Sequence, residues 1–99
     1  MVSRDAVLMV LKNVEDPEIQ MNIVDLGLVY SIDVREDAIE VDYTLTYPGC
    51  PAEEMIRSDI VETLRDAFGI EIKATIVWSP MWGPERMSEE ARLALGYPI

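Results

Sequence analysis

Histidine is absent from the sequence, which removes a His general base, a His-based nucleophile triad and a His metal ligand. Cysteine occurs once, at Cys50. No internal disulfide can form, in keeping with a reducing compartment, and the common Cys-His nucleophile pair cannot be built. Cations are scarce as well: 8 Lys and Arg stand against 19 Asp and Glu, for a formal charge of -11. Such a field repels phosphate backbones, and no cluster of bases reverses it locally, so nucleic acid is not an expected partner. It favours basic protein surfaces or cations, although carboxylates that simply confer solubility are the commoner case. No apolar run reaches the roughly 18 residues of a membrane span, and no charged-then-apolar leader precedes the first amphipathic stretch. A cytoplasmic location with no membrane partner is the expectation.

What is present is the balance of a globular protein, 49% hydrophobic and 27% charged over 99 residues, and the expectation is one domain over residues 1–99. A domain of this size buries only about two thirds of the surface its unfolded chain exposes. A large internal ligand cavity therefore has no room, and any site should be shallow, at an edge, or shared between subunits.

From Ser3, an N-cap residue, Val7, Leu8, Leu11 and Val14 repeat at helical spacing until Asp16-Pro17 interrupts them. After an irregular stretch, Leu28, Tyr30, Ile32 and Val34 alternate against Val29, Ser31 and Asp33. Beyond the polar turn Arg35-Glu36-Asp37, Ile39, Val41, Tyr43 and Leu45 alternate against Glu40, Asp42, Thr44 and Thr46, which predicts an antiparallel hairpin. Met55, Ile56, Ile60, Leu64, Ala67 and Phe68 trace a longer helix closed by Gly69. That helix can serve as a crossover to a third, parallel strand on which Ile70, Ile72, Ala74, Ile76 and Trp78 alternate with polar residues. An apolar loop, Ser79 to Pro84, and a capped helix from Ser88 to Leu95, with Gly96 and Pro98 beyond, complete the chain. The expected class is α+β: a small mixed sheet with helices packed on it, in the order α-β-β-α-β plus a short C-terminal helix.

Cys50 is the one soft ligand and strong nucleophile. Pro51 favours the first helical position, which places Cys50 at or beside the N-cap of the longer helix, facing unpaired backbone N–H groups. Those donors stabilise thiolate, whereas Glu53 and Glu54 oppose it, so the direction of its pKa stays open. The sequence is equally compatible with Cys50 as a small apolar plug in a tight turn. Thr44 and Thr46 leave the strand shortly before that turn and could place hydroxyls near the thiol, though β-branching alone justifies them in a strand. Asp16-Pro17-Glu18, with Asn22, Asp25 and Gly27 following, is rich in groups that bend backbone or bind cations. A turn explains that segment without a metal, since no EF-hand spacing is present. An iron-sulfur cluster needs about four ligands, mostly thiolates, and one chain supplies one. A labile cluster would have to be shared across a symmetric dimer or completed by a partner or a small thiol.

Four segments occur in order: Asp16-Pro17-Glu18-Ile19, Asn22 to Tyr30, Thr44-Leu45-Thr46-Tyr47-Pro48-Gly49-Cys50-Pro51, and Trp82 to Ser88. Together they resemble the metal-sulfur cluster biosynthesis family of PaaD-like and SufT-like proteins over nearly the whole chain. The resemblance implies an iron-sulfur cluster assembly domain fold and a maturation factor that helps deliver clusters to client apo-proteins, working with other assembly proteins. It implies a labile iron-sulfur cluster or iron as a transient or shared cofactor, with a homodimer as one way of sharing it. Carried over by position, the implied site is Cys50 as the metal or sulfur contact, with Asp16, Glu18, Thr44, Thr46 and, more weakly, Asp25. Ser79-Pro80-Met81-Trp82 departs from the Asp-Pro-Pro-Trp of many members, so an acidic role for that loop is not expected. Met81 and Trp82 there form either a partner-binding patch or packing over the sheet. Two other readings stand beside this one: a non-catalytic accessory protein of a multicomponent oxygenase pathway acting by contact alone, and a thiol-dependent enzyme, which the lack of His disfavours.

Overall fold

Ser3 opens the first helix as its position predicts, its Oγ accepting the Ala6 N–H at 3.0 Å, a cap whose loss typically costs about 1 kcal/mol. In this computed structural model, which describes residues 2–97, α1 spans Arg4–Leu11 and buries Val7 and Leu11. The helix stops before the expected Asp16-Pro17 break. Lys12 is its C-cap, and just beyond it both the backbone N–H and the Nδ2 of Asn13 donate to the Val10 carbonyl. Val14 is buried all the same, from beyond the helix rather than on its stripe.

The stretch read as irregular contains two short strands, β1 (Glu15–Asp16) and β2 (Met21–Asn22), paired antiparallel. Gln20 closes the turn between them with a left-handed φ of 62°, a conformation that costs a side-chain-bearing residue about 1–2 kcal/mol. Its N–H donates to the Asp16 carbonyl at 2.7 Å, which helps hold the turn shut.

The main sheet is mixed, in the order β3-β4-β5. β3 (Val29–Val34) and β4 (Ala38–Tyr43) form the expected antiparallel hairpin, with a register shift between Val29 and Ser31. β4 and β5 (Glu71–Ile76) run parallel from Ala38↔Glu71 to Tyr43↔Ile76, joined by α2 (Glu53–Phe68) as the crossover a parallel pair requires. Helix α2 buries Ile56, Ile60 and Leu64. Met55 and Ala67, counted on the same stripe, are exposed instead, because the buried face of this helix is the narrower one drawn by those three residues. Gly69 ends α2 at φ 67°, the left-handed turn that glycine adopts without a Cβ clash.

Buried side chains from α1, α2 and the sheet, among them Leu11, Ile39, Tyr43 and Ile60, make one continuous core. The last strand is shorter than its alternation, ending at Ile76, although the Val77 N–H still bonds to Tyr43 O. A loop follows, then a 3-10 turn (Pro84–Arg86) and α3 (Glu89–Leu95), capped by the Ser88 Oγ and ended by Gly96. Pro98, expected past that end, lies outside the described residues. Among the described residues no helix is long and apolar enough to cross a membrane.

Candidate functional site

The end of β4 and the β1–β2 turn meet at Cys50. Helix α2 starts two residues later than a Pro51 start would give, with Ala52 as its N-cap, so Cys50 sits in the turn that leads into the helix. The turn is closed by the Glu53 N–H on the Cys50 carbonyl at 3.1 Å. Cys50 is 4% exposed, and its thiol donates to Glu18 Oε1 at 3.5 Å. The same carboxylate oxygen accepts the Tyr47 hydroxyl at 2.9 Å.

These contacts settle the question the sequence leaves open. Burial pushes the Cys50 thiol up from its ordinary value; the Ala52 backbone N–H pulls it down, while Glu18 and the Asp16 charge add to the rise. Thiol, not thiolate, is thus the resting form at neutral pH. The hydrogen bond to Glu18, followed by burial, pushes Tyr47 up to about 12.

Asp16 is wholly buried. One carboxylate oxygen organises the turn, accepting the Glu18 N–H at 2.9 Å and the Ile19 N–H at 3.4 Å. The other, Oδ2, is buried with no hydrogen-bond partner. A buried unpaired carboxylate oxygen is costly, and Oδ2 is the atom of this turn that lacks a partner. As the side chains stand, however, no three His, Cys, Asp or Glu groups among the described residues close around a metal ion. Cys50 and Glu18 are in contact, and Asp16 organises the same turn; one thiol and two carboxyl groups are too few for the roughly four mostly thiolate ligands of a complete cluster.

The remaining candidates lie elsewhere. Thr44 is 1% exposed in the core, its N–H bonded to Leu28 O, and does not stand on an open polar strand face. Thr46 is half-buried. Asp25 bonds with Asn22 through both its backbone N–H and its carboxylate, and its carbonyl accepts the Ser88 N–H at 2.8 Å. Its contacts shape the loop instead of reaching Cys50. Trp82 is half-buried, its Nε1 donating to Leu26 O at 2.8 Å, whereas Met81 is 83% exposed. Sequence reading missed Tyr47, whose partner Glu18 is 29 residues away, and no local pattern announces such a pair.

Two cavities stand out among the described residues. The larger, about 480 Å³, is lined by Val2, Val34, Arg35, Glu36 and Ile70. It opens at the hairpin end of β4, about 20 Å along that strand from the Cys50 turn, and holds no thiol or hydroxyl. The smaller, about 300 Å³, lies where the chains part after β4 and β5, between Leu45–Pro48 and the loop of Trp78, Met81 and Trp82. Pro48 in its wall stands two residues before Cys50 in the chain, and Tyr47 in the same wall shares Glu18 with the thiol.

Residues 4–75 match the family described as iron-sulfur cluster assembly protein. The chain is 40% identical over 99 residues to an Fe-S protein maturation auxiliary factor of Porphyromonas gingivalis, covering 96% of this chain and 92% of that one. It is 41% identical over 83 residues to the Fe-S protein maturation auxiliary factor SufT of Staphylococcus aureus, covering 82% and 94%. A protein of Escherichia coli named for the 1,2-phenylacetyl-CoA epoxidase, as one of its components, is 30% identical over 83 residues, covering 83% of this chain and 50% of that one. Among solved structures, a domain of unknown function from Bacillus anthracis superposes with a TM-score of 0.90 at 37% identity, covering 95% and 92%.

Proposed function

The chain belongs to the iron-sulfur cluster assembly protein family, and on that premise we propose that it is a maturation factor that helps deliver iron-sulfur clusters to client apo-proteins. The observation that carries the reading is the pairing of the lone thiol of Cys50 with Glu18, beside the unpartnered buried Oδ2 of Asp16. Cys50 is the thiolate that meets the cargo, and the two carboxylates complete part of its coordination. Thr46 borders the approach to the site, while Thr44 and Asp25 act by holding the surrounding loops in shape.

One thiolate per chain is too few for a stable cluster, so the cargo is iron or a labile cluster held transiently. The missing ligands come from a second copy, an assembly protein or the client itself. Residues 1–99 work as a single domain in the cytoplasm, and no substrate turnover is part of this role. In a reconstituted maturation assay, Cys50→Ser should fail to activate an apo-client while unfolding at the wild-type temperature; activation at the wild-type rate would remove the reading.

A second reading has its own support in the likeness to the epoxidase component and in the exposed Met81: an accessory protein acting through contacts alone. In that case Cys50→Ser would still function and a charged residue at position 81 would not.

A further inference from the structure

The smaller cavity has a structural origin. Parallel pairing of β4 with β5 ends at the bond from Val77 N–H to Tyr43 O, and just beyond it lies a trough lined by Leu45–Pro48 and by Trp78, Met81 and Trp82. Its lining is apolar and partly open: Met81 is 83% exposed, and Tyr47 and Trp78 are each more than two fifths exposed. At about 300 Å³ it has room for one aromatic or large aliphatic side chain, the kind of anchor that dominates interfaces.

Charge narrows what fits. Glu18 is bonded to the Tyr47 wall, and the Glu85 carboxylate folds back onto Gly83 beside Trp82. Neither is neutralised, for among the described residues the ion pairs join Arg35 to Asp33 and Glu40, at the hairpin turn. Arg86, one residue on from Glu85, has its guanidinium over the Tyr30 ring, 4.6 Å from its centre. A second copy carries the same net charge of -11 over its whole chain, and that like charge opposes self-docking.

We propose that the trough between Leu45–Pro48 and Trp78–Trp82 docks a bulky apolar side chain flanked by Lys or Arg on a partner polypeptide. That this partner is a client, brought next to Cys50 for transfer, rests on the delivery role above; the trough's preference for a basic, apolar segment does not.

Both tryptophans of the chain line the trough, so their emission reports on it directly. The iron-free full chain is titrated with Lys-Lys-Phe-Lys-Lys, Glu-Glu-Phe-Glu-Glu and Lys-Lys-Ala-Lys-Lys peptides. The first should change the emission saturably and bind more weakly as salt rises, with affinity lowered about tenfold or more by Met81→Lys through like-charge repulsion. The other two should be silent. The proposal falls if the first peptide gives no saturable change, if the alanine peptide binds as tightly, or if Met81→Lys has no effect. It also falls if dilution alone changes the emission, which would identify a second copy as the occupant. Failure here leaves the role of Cys50 standing, because client activation is read separately. Failure at Cys50 likewise leaves the trough standing.

Discussion

At Cys50, occlusion from water and the Glu18 carboxylate outweigh a backbone N–H, and the thiol is held protonated above its ordinary range. If the thiol is where cargo binds, as proposed, a metal arriving there would have to displace that proton, and ligation would become easier as pH rises. Glu18 is one of the causes of the rise, so Glu18→Gln should bring the thiol down and speed alkylation by iodoacetamide at pH 8; an unchanged rate would show that the carboxylate does not act on it. The same shift has a signed effect on stability. The folded chain keeps a proton that the unfolded chain loses near the ordinary thiol value of 9.0, so the contribution is full below that pH and is lost as pH rises through the folded value. Tyr47 shifts in the same sense through its bond to the same carboxylate. None of this is legible in the sequence, because the direction depends on which of several opposing neighbours lies closest, and Glu18 comes from a turn far away in the chain.

Among the elements, α1, the hairpin, α2 and β5 are legible because each buries one face and writes that face as a period of 3.6 or 2. β1 and β2, of two residues each, have no period to read. Alternation puts Thr44 on the open face only if it continues past Tyr43, the end of β4, but Thr44 is buried between the buried Tyr43 and Leu45. The C-terminal segment reads as a loop and a helix, with no hint of what it grips. It straps the Asn22–Tyr30 loop through Trp82 on Leu26, Tyr30 on Pro80 and Ser88 on Asp25. Gly27 is the closest approach: at φ 75° a Cβ there would collide with the Arg86 backbone. Gly27→Ala should therefore lower unfolding stability by more than the roughly 1–2 kcal/mol of its φ alone and shift Trp82 emission to the red. Wild-type stability and emission by urea titration would show that the strap is not clamped there.

For the molecule as a whole, its scarcities set its chemistry. A chain with no histidine, one cysteine and a charge of -11 cannot hold a cluster unaided, yet its fold gathers that one thiol, two acids and an apolar trough at one end of the sheet. Such an arrangement suits handing cargo on rather than keeping it. The central claim is that Cys50 is where this cargo is held. It is tested most directly by anaerobic reconstitution of the wild type and Cys50→Ser with iron and sulfide, reading bound iron and visible absorption after desalting. Iron and absorption in the wild type that disappear with the cysteine are the predicted result; equal retention by both proteins, or none by either, would contradict it.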